Sequence, residues 1–339
     1  KDRAIKVDDM LERLKQMAIQ GLVLRAGSAD YGAWLLAPRG VNAAMDKISS
    51  ALHGAGKGGE ETLRADLPET VRAAIAPQTI HPANQRTLGE KPDRIRIDAA
   101  FTEAFLGQAD LRGVSALVLE NADALSLELF RSLCADASRR AVALIAALPP
   151  VFFEEDSLLL RDFVRAVATE TAIEANTWGG WRMAREAGAR LEAGPGLAVL
   201  NSLAARQLAD AGMSCVTLSP EADRQKLEDL CARVSVPASM IVFGRPPLLI
   251  SRATIRIKED YSVWEDRRLI RMIPRLRRGL TVFRPDEPYS IAGRKNQRIR
   301  ACHLVADLLG SPDPLSEWKA LRRGDCGTES AFNYDRELR

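Results

Sequence analysis

The chain has 339 residues, a formal net charge of +3, 46% apolar and 27% charged residues, and only 5% aromatics. That describes a globular protein able to bury a sizeable core, as one large barrel or as two domains. No run of 18 apolar residues occurs, so the reading holds no membrane-spanning helix and expects no membrane partner. The five cysteines (Cys134, Cys215, Cys231, Cys302 and Cys326) are scattered, and none forms a C-x-x-C pair. Cys215 and Cys231 read as buried structural thiols, and the odd, unpaired count points to a reducing, cytoplasmic compartment. The first residue is Lys1, as in a processed product or part of a longer parent chain.

Residues 1–53 read as a mixed α/β segment. Val7–Met17 has helical apolar spacing, Leu22–Leu24 suits a strand, and Val41–Leu52 suits a helix. His53–Glu61, HGAGKGGEE, is a linker by composition. Its Gly56-Lys57 pair is not a phosphate loop, because Gly58 stands where Ser or Thr must meet magnesium. Asp66–Pro92 carries four prolines, and 54–92 reads as a linker or arm.

From Arg94 apolar runs recur. Ile95–Asp98, Ser115–Glu120, Ala141–Leu148, Thr171–Asn176, Leu197–Asn201, Cys215–Ser219 and Met240–Gly244 start roughly 20 to 30 residues apart, as successive β/α units do. Ser126–Leu133, Leu158–Val167, Gly180–Ala189 and Ser202–Asp210 supply helices between them. Pro220 suits the first position of a further helix that carries Leu227, Leu230, Cys231 and Val234. The fold class is therefore α/β, a TIM-like (β/α) barrel over 93–252, one strand short. The eighth strand is expected from outside the chain, from Leu22–Arg25 or from Leu280–Phe283. An open doubly wound sheet is the alternative, although no G-x-G-x-x-G follows any of the strands.

Chemistry in such a barrel sits at the C-terminal strand ends. These present Asp98, Glu120, Asn121, Glu174, Asn176, Asn201, Ser219, Glu221 and Arg245. Glu174 and Glu221 are the candidate catalytic acids and bases. Asn176, Asn201, Ser219 and Arg245 are the candidate substrate-binding residues. The competing role for such residues is to cap helices and tie down loops.

Residues 253–339 read as a basic extension packing on the barrel. Ser251–Arg300 holds fourteen Arg or Lys against six Asp or Glu, so the rest of the chain is net acidic. Arg271, Arg275, Arg277 and Arg278, with Tyr261, Trp264 and Phe283 nearby, offer the charge and stacking an RNA-binding face needs. A solvated face, or cations paired with the acidic remainder, is the alternative.

The segments VLNSLAARQLADAGMSCVTLSPE, IVFGRPPLLIS and FNYDREL occur in that order. Together they resemble the collagenase-like peptidases of the U32 family, most clearly over Thr171–Arg252. The resemblance implies a barrel with a strand ending in Asn, a Ser/Arg-Glu turn and a strand ending in Gly, and it carries over Asn176, Asn201, Glu221 and Gly244 as site-wall residues. It also implies a hydrolase, with RNA modification of the hydroxylation type or a catalytically silent homologue as alternatives. Some relatives hold an iron–sulfur cluster on cysteines after the Gly-x-x-P segment. Leu248–Arg268 contains none here, so no cofactor is expected unless ligands lie outside this chain. The expected partners are a peptide or RNA substrate and the remainder of a longer parent chain.

Overall fold

The computed structural model describes residues 5–6, 35–36, 81–253, 255–257, 262–267, 269–325 and 330–335. The expectations over Val7–Met17, Leu22–Arg25, Val41–Leu52 and His53–Glu61 lie outside them. The chain divides into two units, Lys1–Ala73 and Ala74–Arg339. In the first, strands β1 (Ile5–Lys6) and β2 (Leu35–Leu36) pair antiparallel.

The second unit is a closed barrel of eight parallel strands. They are β4 (Arg94–Asp98), β5 (Ala116–Glu120), β6 (Ala143–Ala147), β7 (Ala172–Ala175), β8 (Arg190–Ala193), β9 (Met213–Leu218), β10 (Ala238–Gly244) and β17 (His303–Asp307). β17 pairs with both β10 and β4 and closes the ring. Helices α1 (Thr102–Gln108), α2 (Leu127–Arg139), α3 (Glu154–Val167), α4 (Trp178–Glu186), α5 (Ser202–Asp210), α6 (Arg224–Cys231) and α7 (Pro314–Arg323) follow the strands. No helix of the described residues is long and apolar enough to cross a membrane.

Local chemistry sets several of these boundaries. Ser126, Thr177, Asn201, Asp223 and Asp313 each accept a backbone N–H of the helix they precede, satisfying one of its orphan donors. Because Asp223 is the cap, α6 begins at Arg224, and Pro220 and Glu221 lie in the preceding turn rather than in the helix. The apolar helix faces pack outside the barrel. Phe130 and Phe163, 5.5 Å apart and edge to face, join α2 to α3. Trp318 is fully buried on α7, and its Nε1 donates to the carbonyl of Asp110 at 3.0 Å.

Two strands differ from the sequence reading. The fifth is Arg190–Ala193, whereas Leu197–Asn201 begins at the end of a short 3-10 turn, Pro195–Leu197, and makes only a single bridge from Val199 to Leu218. The eighth is His303–Asp307, beyond the segments expected to supply it. Leu280–Phe283 is a strand as well, but it belongs to a separate antiparallel sheet. That sheet has the order β11 (Leu249–Ser251), β14 (Leu280–Pro285), β13 (Arg271–Arg277), β12 (Trp264–Glu265) and takes the place of a helix between β10 and β17. β15 (Tyr289–Ser290) adds to the edge of β10, and β3 (Arg86–Leu88) pairs with β16 (Asn296–Ala301) just before β4 and β17.

The barrel interior is chemically divided. Ala116, Val118, Ile145, Ala147 and Ala172, from β5, β6 and β7, form a small apolar cluster of their own. Beside it, β4, which pairs with β5, contributes two arginines. Arg94 donates to both oxygens of Glu192 (2.6 and 3.3 Å), and Arg96 donates to Glu174 (2.6 Å) and Glu120 (2.9 Å).

Candidate functional site

A pocket lies where the C-terminal ends of β4, β5, β6 and β17 meet the β13–β14 sheet. It opens to solvent, and the unfilled space in and before its mouth amounts to about 860 Å³. Strand alternation explains its roof: Arg275 and Arg277 on β13, and Leu280, Val282 and Arg284 on β14, are spaced by two and share one face. The floor carries Asp98, Glu120 and Asn121. Apolar walls come from Phe101, Pro149, Pro150, Val151, Leu308 and Leu309.

The floor is held by short-range bonds. Asp98 accepts the N–H of Ala100 at 3.1 Å and Asn121 Nδ2 at 2.9 Å, and it pairs with Arg277 at 3.2 Å. Asn121 takes a left-handed conformation (φ 59°), which Asn tolerates better than most side chains. Arg278 pairs with Asp123, and its Nε donates to Asn121 Oδ1 at 3.5 Å.

Two neighbouring carboxyls, Glu120 on the floor and Asp307 buried behind it, are driven apart. Burial opposes ionisation of Glu120, but Arg96, Arg284 and Arg277 outweigh it and hold the carboxyl below its ordinary range. Burial pushes Asp307 up to about 6, with the charge of Glu120 adding to the rise and Arg284 and Arg96 opposing it. These two acids stand on β5 and β17, the strands on either side of β4. A pair with one carboxylate ionised and its neighbour able to hold a proton is equipped for acid–base work near neutrality.

The sequence-predicted residues are distributed as follows. Arg275, Arg277 and Arg278 line the pocket, with Asp98, Glu120 and Asn121 from the ring. Arg271 is not in the lining and pairs with Asp286 at 2.8 Å. Glu174 lies inside the barrel, bound to Arg96. Asn176 beside it donates to Glu174 Oε1 and to the Leu148 carbonyl, both at 2.9 Å, and accepts the Gly196 N–H at 3.0 Å. Asn201 caps α5. Ser219 is buried, accepts the Glu221 N–H at 3.3 Å, and borders a smaller cleft with Tyr289 and Tyr334. Glu221 is exposed outside the main pocket. Arg245 grips Glu317 with two bonds (3.0 and 2.6 Å) and donates to the Asp286 carbonyl at 3.0 Å, locking the end of β10 to α7. Sequence reasoning missed Arg96, Arg284 and Asp307. The alternation of Leu280, Val282 and Arg284 was the one available signal.

The described cysteines do not assemble into a cluster cradle. Cys134 lies on α2, Cys215 inside β9, Cys231 on α6 and Cys302 just before β17. Among the described residues no group of three or more His, Cys, Asp or Glu side chains is placed to hold a metal ion.

No family model and no curated protein matches the chain. A solved structure, the U32 peptidase Mk0906, is similar over 48% of this chain and 73% of that one, at 14% identity and a TM-score of 0.37. The fold defines a (β/α)8 barrel protein that has a U32 peptidase as a distant structural neighbour.

Proposed function

We propose that this barrel protein is a U32-like peptidase whose substrate enters the pocket at the C-terminal mouth, with Glu120 and Asp307 as its acid–base pair. The observation that carries the reading is that Glu120 lines a strand-end cavity while Asp307, buried immediately before the lining residue Leu308, feels its charge, at the face where parallel β/α barrels do their chemistry. The sequence resemblance over Thr171–Arg252 supplies the reaction class. Ionised Glu120 takes a proton from water as its oxygen attacks the scissile carbonyl carbon. Protonated Asp307 gives its proton to the leaving nitrogen as the C–N bond breaks. The net reaction adds one water across the amide, by the division of labour used by other paired carboxylates. Glu174, engaged by Arg96, orients Arg96 and through it Glu120.

Mass-spectrometric profiling of a mixed peptide library tests the reading. Cleavage by the wild type, lost at least a hundredfold in both Glu120→Gln and Asp307→Asn while circular dichroism is unchanged, is the expected result. No cleavage by the wild type, or full activity in both variants, defeats it. Salt-sensitive RNA binding without peptide cleavage would transfer the pocket to an RNA-directed role.

A further inference from the structure

Four arginines, Arg275, Arg277, Arg278 and Arg284, line the pocket against two acids, Asp98 and Glu120. Most of the nearby charge is already matched. Arg277 pairs with Asp98, Arg278 with Asp123, and Arg96 with Glu120 and Glu174. Arg284 differs: among the described residues no carboxylate lies within ion-pairing distance of it. Its guanidinium is nevertheless fixed, because Nη1 donates to the Arg245 carbonyl at the end of β10. The loop after β17 makes room for its stem. A Cβ at Gly310 (φ +80°) would stand 2.7 Å from Arg284 Cδ, so any larger residue would displace the side chain. A positioned, half-buried guanidinium with no carboxylate in direct contact, whose charge reaches Glu120 and Asp307 only at longer range, and which faces a pocket with apolar walls, has a defined chemical complement.

We infer, resting on the pocket being the substrate site, that it selects substrates by an oxyanion (a carboxylate or a phosphate) carried beside an apolar group and seated on Arg284. The guanidinium fork matches two oxygens of either anion. Pro149, Pro150, Val151 and Leu308 cover the apolar neighbour, and Arg277 at the mouth draws the anion in. For a peptide substrate this means an acidic or phosphorylated residue, or the terminal carboxylate, next to a hydrophobic side chain.

Calorimetric titration of the full chain with benzoate, phenyl phosphate and neutral benzamide separates the possibilities. At least one anion is expected to bind ten times or more tightly than benzamide, and Arg284→Gln to remove that preference. Arg277→Gln, on an exposed strand position, is expected to weaken the same anion severalfold and guards against a misfolded Arg284 variant. The stronger of benzoate and phenyl phosphate identifies the anion. Equal binding of all three, or an anion preference unchanged in both variants, overturns the inference. Asp307→Asn is expected to retain anion binding. Lost cleavage with retained binding therefore speaks to catalysis, and peptide cleavage without anion preference overturns only the selectivity.

Discussion

Arg96 on β4 reaches across the barrel to Glu174 on β7, Nη1 to Oε1 at 2.6 Å, while its other nitrogen holds Glu120 at 2.9 Å. One guanidinium thus ties a strand on the far side of the barrel to the carboxylate that opens on the pocket. Glu174 is only 5% exposed, so Arg96→Met leaves it desolvated without a counter-charge. The expected loss is about 3–5 kcal/mol by urea denaturation, as for other broken buried pairs. Replacing both partners, Arg96→Met with Glu174→Leu, should recover much of that loss. A single-variant loss below about 1 kcal/mol would show that water reaches the pair.

Asp307 makes stability depend on pH with a definite sign. Its carboxyl titrates near 6 in the folded chain and near 3.9 when unfolded, so between these values the folded state binds more protons. Stability should fall as pH rises from about 4 to about 6, by up to about 3 kcal/mol, and this contribution should be flat above. Asp307→Asn should abolish that slope in melting experiments and equal or exceed the wild type at pH 7. An unchanged slope would place the proton elsewhere.

The same group sets the expected activity profile. If Asp307 delivers a proton to the leaving nitrogen, kcat declines above about pH 6 as it ionises. Burial disfavours the charged form of His303, but its hydrogen bonds to Asp93 (2.8 Å) and Cys302 raise its pKa instead. His303 begins β17 and Asp307 ends it. His303→Gln should therefore leave the pH midpoint of activity in place, whereas Asp307→Asn should remove it.

Gly194 and Gly196 are predicted to be intolerant of alanine. A Cβ at Gly194 would collide with the side chains of Asn176 and Glu174, and one at Gly196 with the Asn176 backbone. Substitution would break the clasp in which Asn176 accepts the Gly196 N–H. A loss of about 2 kcal/mol or more is expected for each, in the range of core overpacking. A stability within about 0.5 kcal/mol of wild type would mean the loop can move aside.

Arg245 and Glu317 offer a direct measure of how β10 is anchored. Arg245 is 5% exposed, and Arg245→Ala should cost about 2–4 kcal/mol by leaving the Asp286 carbonyl and Glu317 short of donors. A double-mutant cycle with Glu317→Ala should give a coupling above about 1 kcal/mol. Simple additivity would contradict the bidentate lock.

What could be read from the sequence followed the sidedness of each strand. Ser115–Glu120 and Met240–Gly244 stand out because their apolar side chains line both faces or are uninterrupted. Arg190–Ala193 does not stand out, because Glu192 turns inward to meet Arg94 and Arg190 begins the strand, so the pattern looks like a polar loop. His303–Asp307 hides for the same reason, with a titratable residue at each end. The apolar run at Leu197–Leu200 misled because only Val199 of it is fully buried. Barrel lumens filled with ion pairs remove the hydrophobic signal that marks their strands. Asp98, Glu120 and Asn121 of the strand-end ring and Arg275, Arg277 and Arg278 of the basic stretch were both legible in the sequence, and the structure brings them to one pocket. That the two face each other depends on β13 and β14 folding back over β4 and β5, contacts between residues more than 150 positions apart such as Arg278 and Asp123.

The last barrel strand follows the seventh only after the whole roof sheet has been threaded between them, from Arg245 to Cys302. On a ribosome adding about 5–20 residues each second, β4 and β10 would wait several seconds with bare edges before β17 emerges to join them. During that interval Arg94 and Arg96 can already find Glu192, Glu174 and Glu120, all of which are made earlier than Asp307. Seven strands held in register by those charges would form a split cylinder, and the pocket would come into being only as the final staves are set.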